Sequence, residues 1–325
     1  MIDNRIIKGL VVVIILFFVA TVIIPSSAQD LKRQSNPIII SNILYVGGSG
    51  PGNYTRIQDA INNSSDGDTV FVYDDSSPYK ENIYVNKSIK VQGENMTSTI
   101  IFGFNCIVSD FVIISGFTFK QYGFPTLSIN GFSNNIIENC AFTNGSAGLD
   151  LEKSDNNIIR NCSFKHLEFG ILQIWSSDNN EICYCDFIDN PTYFPWPCPA
   201  IDLRFSRGIK IHHCNITRNY PGGVRVMCSN VKMNYNNIFN NYELGVQLQL
   251  SSCDMRNNWW GGPNGPNIYM YIPFFEMHWG LGPIYFKKVD VGESVVYGSL
   301  FSLIGINRVF PWLSEPVADA GQQIN

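Results

Sequence analysis

The chain has 325 residues, of which 45% are hydrophobic, 13% aromatic and 15% charged, so it can bury a large core and is not a disordered tail. Its formal net charge is −5 and its Lys and Arg residues form no run, which excludes the basic surface that nucleic acid requires.

Residues 1–28 carry the pattern of a secretory signal. Arg5 and Lys8 make a positive start, Leu10 to Ile24 an apolar stretch, and Ser26-Ser27-Ala28 a small-residue cleavage site. Export is expected, to a secreted or cell-surface location; the same segment left uncleaved would be a membrane anchor. Eight Asn-x-Ser/Thr sequons are compatible with surface glycosylation and carry little weight in so Asn-rich a chain. Residues 29–100 are read as an N-terminal cap and the first coils, with Ile57 to Asn62 a short amphipathic helix over the open end.

From 101 to 266 the chain repeats itself. The string Asn139-Cys140-x-Phe142 returns as Asn161-Cys162-x-Phe164. The apolar residue three before the repeated position is Ile114, Ile137, Ile159, Ile182, Ile211, Met233 and Met255, in steps of 23, 22, 23, 29, 22 and 22 residues. A period near 22 with short alternating segments fits one coil of a parallel β-helix and is too short for helical hairpins. Each coil opens on a strand such as Gly148 to Leu151 or Gly223 to Val226, continues through a polar turn such as Ser154-Asp155-Asn156-Asn157, and adds a second and a third strand. The repeated position reads Phe117, Cys140, Cys162, Cys185, Cys214, Asn236, Asn258. Adjacent coils lie about 4.8 Å apart, so this is read as an interior stack in which small thiols pack, with disulfides or metal ligation the lesser reading, and the two Asn are expected to bond amide to amide.

Residues 267–315 are aromatic and lack the period, so they are read as an irregular C-terminal cap; residues 316–325 are read as a tail or linker.

Residues 45–95, "YVGGSGPGNYTRIQDAINNSSDGDTVFVYDDSSPYKENIYVNKSIKVQGEN", followed by Asn-rich coils and "NNWWGGPNGP", resemble exported right-handed parallel β-helix proteins of the pectin-lyase-like superfamily, nearest the NosD-like group. "PVADAG" at 316–321 resembles the start of the Ig-like PKD modules that follow such helices in archaeal surface proteins. The resemblance implies an all-β, right-handed solenoid, and it implies no single activity, because the superfamily holds lyases, hydrolases, esterases and binders alike.

It also implies that any site lies on the outer face of the first sheet. The outward residues of successive first strands form two columns: Ser128, Asp150, Gln173, Asp202, Arg225, Gln247, and Asn130, Glu152, Trp175, Arg204, Met227, Gln249. Acids that accept hydroxyl protons, Arg that grips carboxylates and Trp that stacks on a ring are the chemistry of sugar binding. The long 29-residue step falls in "DNPTYFPWPCP", 189–199, so Tyr193 and Trp196 are expected to wall the groove. The expected function is binding of a polysaccharide or cell-envelope glycan without turnover, by a monomer.

Three other readings stay open. A polysaccharide lyase or hydrolase would use Asp150, Asp202, Glu152 and Arg225, the two aspartates being about 9.6 Å apart by strand spacing. A lyase would want calcium, for which two carboxylates are few; "CDFIDN" places Asp186 on the third strand, away from the groove. A structural surface protein would bind nothing. A NosD-like copper role is disfavoured, since His212 and His213 are adjacent and in an extended segment point to different faces. No cofactor is assigned.

Overall fold

The computed structural model describes residues 41–121, 125–191, 198–272, 284–289, 295–299 and 311–323. The signal segment therefore lies outside the described residues, as do Tyr193 and Trp196. Among the described residues, no helix is long and apolar enough to cross a membrane.

Three parallel sheets wind around one core. The first contains Ile83–Val85, Asn105–Ile107, Pro125–Asn130, Ala147–Glu152, Leu172–Trp175, Ile201–Arg204, Gly222–Met227 and Leu244–Gln249. The second runs from Ile43–Val46 to Ser252–Asp254, and the third from Ile100–Phe102 to Asn237–Phe239. Within the second sheet Ile137 pairs with Ile114 and Ile159, Ile182 with Ile159 and Ile211, and Ile211 with Met233, which is the sequence repeat expressed as hydrogen-bond register. The expected cap over 267–315 includes strands: Val295–Ser299 and Asn267–Ile272 continue the first sheet in parallel, and Ile284–Val289 adds to its edge antiparallel.

The bend from second to third sheet explains the repeated Asn. Asn139, Asn161, Tyr184, His213, Tyr235 and Asn257 all have φ between 51° and 60°, the left-handed conformation that turns a strand sharply and that Asn tolerates best. The cysteine one step beyond then points inward.

The interior is layered along the axis. Cys140, Cys162, Cys185 and Cys214 are wholly buried and unbridged. Burial pushes the thiols of Cys140, Cys162 and Cys185 well above the usual range, so they remain neutral. At the end of the stack the Asn236 amide donates to Asn258 Oδ1 at 3.0 Å, as the sequence indicated. Beside the thiols Phe119, Phe142, Phe164 and Phe187 stack ring on ring, at 5.1, 4.7 and 4.7 Å. The polar turn is internal too. Ser154, Ser177, Ser206 and Ser229 each donate a backbone N–H to the hydroxyl of the serine one coil on, at 2.9 to 3.1 Å, and Asn135, Asn157 and Asn180 form a matching ladder.

Cys162→Ser tests the thiol stack. Cys162 Sγ lies 3.3 Å from Arg160 O, two residues back, and the Ser154 hydroxyl makes the same bond to Glu152 O at 2.8 Å. A serine at 162 keeps a partner, so urea unfolding should show a loss of only about 1 kcal/mol. No loss at all would remove Cys162 from the packed core.

The ends are closed by polar contacts that the sequence did not announce. The helix Ile57–Asn63 buries Ile57, Ala60 and Ile61 against the first coil. Glu81 accepts the N–H groups of Ile57 and Gln58 at its N-terminus, and Lys87 Nζ donates to the carbonyls of Ile61, Asn62 and Ser64 at its C-terminus. Residues 316–323, expected as a tail or linker, are docked on the solenoid. Val317 exchanges two bonds with Asn237, Ala320 O accepts from Asn215, Gly321 N–H donates to His213 O, and Gln323 pairs with Asn161. Any side chain at 321 would collide with Asp186 and Asn215, and φ there is +95°, so glycine is required.

Candidate functional site

The two columns read from the sequence are present in register on the first sheet. Asp150 pairs with Ser128 and Gln173, Gln173 with Asp202, Asp202 with Arg225, and Arg225 with Gln247. In the second column Glu152 pairs with Asn130 and Trp175, Trp175 with Arg204, and Arg204 with Met227.

Side-chain geometry divides the columns into two chemically different regions. Asp202 is 0% exposed, although its strand position faces away from the core. Arg225 Nε donates to its Oδ1 at 2.9 Å and Nη2 to its Oδ2 at 2.5 Å, while Arg204 Nε reaches Oδ2 at 3.1 Å. Two guanidiniums thus saturate one carboxylate. Asp202 and Arg225, which the sequence offers as catalytic candidates only if the chain is an enzyme, are engaged with each other in a covered ion cluster. Arg204 also lies 4.8 Å over the Trp175 ring, a cation–π contact that fixes the indole upright with 39% of the residue still exposed.

Toward the other end Asp150 has no cationic partner among the described residues. Burial raises its pKa to about 6, with the neighbouring charge of Glu152 adding to the effect. Glu152 is more open and accepts from Lys153 Nζ at 2.9 Å and Asn130 Nδ2 at 3.3 Å. The two residues stand two apart on one strand, so both side chains leave the same face of the sheet, and the Asp150 carboxyl is able to hold a proton near neutrality. Asp186 is on the third sheet, away from both.

Beside the start of the long loop, its residues Asp189 to Pro191 meet side chains that the sequence reading did not select. Asp189 is gripped by Arg218 through two bonds, and Tyr220 packs edge to face with Tyr242 at 4.9 Å. Together with Pro191 and three asparagines they line a cavity of 380 Å³, from which Tyr242 projects 77% exposed. Their signal was an isolated Tyr at the end of two successive coils. Cys198, at the far end of the loop, lies 3.9 Å from Gln173 Nε2.

Calcium does not fit the groove. It takes about six to eight oxygens, whereas Asp202 is spent on arginines and only Asp150 and Glu152 remain among the described acids of the columns. No calcium-dependent step is derived. The two histidines set aside in the sequence are brought together: the positive φ of His213 turns its ring back, and the Nδ1 atoms of His212 and His213 lie 3.0 Å apart on the outer face of the second sheet. The premise that adjacent positions send them to different faces is thereby corrected.

Residues 100–260 match the family described as the right-handed β-helix region. No curated protein sequence matches. Among solved structures the chain is similar to an alginate lyase from Paenibacillus sp. str. FPU-7, with 11% identity, TM-score 0.52, and coverage of 86% of this chain and 99% of that one. It is also similar to the pectate lyase Pel9A, with 14% identity, TM-score 0.51, and coverage of 88% and 82%. At such identities the likeness is one of fold. Coil register, three-sheet topology and the match over 100–260 together make the chain a right-handed parallel β-helix protein.

Proposed function

We propose that the chain is an exported, cell-surface β-helix protein that binds a polysaccharide or envelope glycan along its first sheet without turning it over. The observation that carries this reading is the Trp175–Arg204–Asp202–Arg225 cluster. Its salt bridges leave an upright, half-exposed indole and the unused guanidinium N–H groups as a rigid platform, which suits ring stacking and hydroxyl contacts and offers no free acid for bond cleavage. Tyr220 and Tyr242 extend the aromatic surface past the loop edge. The amino-terminal signal pattern supports an extracytoplasmic setting, and the structural relatives named for alginate and pectate are in keeping with a glycan partner.

Trp175→Ala should leave the fold intact and weaken retention on an immobilised glycan roughly tenfold, about 1.4 kcal/mol. Equal retention of the variant would take the groove out of sugar binding.

One observation favours a second reading, a glycoside hydrolase with Asp150 as proton donor and Glu152 as base: burial raises the Asp150 pKa to about 6, and Glu152 leaves the same face of the strand two residues on. A screen of acidic and neutral polysaccharides, reading retention and new reducing ends together, separates the two. Product that disappears in Asp150→Asn establishes the hydrolase; retention without product establishes the binder; neither leaves a structural surface protein.

A further inference from the structure

The outer face of the second sheet carries a cluster unconnected with the groove. Glu181 and Cys183 alternate on the strand Glu181–Cys183, and His212 sits beside Cys183 on the next strand, in register. One donor atom from each, a carboxylate oxygen, a thiol sulfur and an imidazole nitrogen, lie within 4.8 Å of one another.

We propose that Glu181, Cys183 and His212 form a binding site for a borderline divalent transition ion, of which Zn²⁺ is the representative. The donor set is the mixed N, O, S set that such ions select and that hard ions such as calcium do not. In a tetrahedral site with bonds of about 2.0–2.3 Å, ligand atoms stand about 3.3–3.8 Å apart. The strands hold the three donors close to that, and side-chain rotations of about an ångström close the set, leaving a fourth place for water. The platform is stiff, because Ile182, between Glu181 and Cys183, and Ile211, next to His212, are wholly buried.

Orientation is supplied by His213. Its Nδ1 lies 3.0 Å from Nδ1 of His212, which directs His212 Nε2 toward Glu181 Oε1, 3.3 Å away. His213 is itself fixed, stacked between Tyr184 and Tyr235 at 5.0 and 5.6 Å and facing Asp319 of the docked terminal segment. This is a supporting shell of the kind that sets the tautomer of a metal-bound imidazole. The charges balance: a thiolate and a carboxylate neutralise the ion, the thiol proton leaving to solvent as the metal–sulfur bond forms. Of the nearby cations, Arg160 is held by Glu138, and Lys210 touches Glu181 only at 3.5 Å, a contact that yields to the ion.

The column itself supplies conservative variants. Cys183 shares its outward column with Ser115, and His212 is paired with Asn234, so Cys183→Ser and His212→Asn place residues the coil already accepts at those positions. The full chain should bind one Zn²⁺ by equilibrium dialysis, with calcium in excess failing to displace it, and Co²⁺ should give a thiolate charge-transfer absorption. Cys183→Ser should abolish that absorption, and both variants should weaken Zn²⁺ at least tenfold while circular dichroism stays unchanged; His166→Ala, on the third sheet, should do neither. Absence of stoichiometric Zn²⁺ binding, or survival of wild-type affinity or of the thiolate band in either folded variant, overturns the site.

Discussion

Asp202→Asn is expected to destabilise the protein by about 3 kcal/mol in urea unfolding. The carboxylate is fully covered and receives Arg225 through two bonds and Arg204 through a third, with those two side chains only 18% and 26% exposed. Asparagine fits the space and keeps one acceptor, yet it leaves two poorly solvated guanidiniums without a counter-charge. Removing one member of a buried ion cluster costs about 3–5 kcal/mol, and the lower end applies because the arginines keep some water. The double variant D202L/R225M should recover part of the loss, since it removes the demand of Arg225 for a counter-charge and leaves only Arg204, the more exposed of the two, without one. A single substitution that leaves the urea midpoint unchanged would mean that the cluster is open to solvent after all.

Asp150→Asn, one column position on the other side of Gln173, should act in the opposite direction. Its pKa is about 6 in the fold against 3.8 in the free side chain, because burial opposes the charge. Below about pH 3 both states hold the proton and the residue costs nothing, and the unfolded chain begins to ionise as the pH nears 3.8. Between pH 4 and 6 the unfolded chain ionises first, so stability falls as pH rises, and above pH 6 to 7 the cost is constant. At about 1.4 kcal/mol per pKa unit, the aspartate lowers stability near pH 7.5 by about 2–3 kcal/mol. Asparagine has no charge to desolvate. The variant should therefore be more stable than the parent by about 2 kcal/mol at pH 7.5 and equal to it at about pH 3. A gain of the same size at both pH values would show that packing, not ionisation, is responsible. Because Asp150→Asn stabilises, a loss of any glycan-cleaving activity in this variant would report chemistry rather than unfolding.

The contrast between these two aspartates marks the limit of what the sequence could convey. Coil length, strand order and outward columns follow from a 22-residue apolar repeat, since a period-two strand and a fixed coil spacing leave the side chains one arrangement. The thiol stack and its Asn end were legible for the same reason. Environment was not. Asp150 and Asp202 occupy equivalent positions, and only the reach of Arg204 and Arg225, a matter of side-chain torsions, seals one and leaves the other unpaired. The His212–His213 pair escaped because alternation was assumed through a residue whose backbone is left-handed. The same bend recurs at Asn139 and Asn161, so the neighbouring coils held the clue. Glu81 and Lys87 reach the helix ends from more than twenty residues away, and no local pattern announces such partners.

A stack of coils is nearly a one-dimensional chain of neighbours, and such an object can unwind from an end one rung at a time. Residues 311–323 alter that. They bond to Asn257 and Asn258 in one coil, Asn237 and His213 in the next two, and Asn161 further along. Loss of a single rung beneath this brace must break contacts several rungs away. The coils carrying Arg225, Asp202 and Trp175 all fall within the braced span, so the face opposite the brace is the stretch of the solenoid where local opening is most costly, and where a bound chain would meet the least yielding surface.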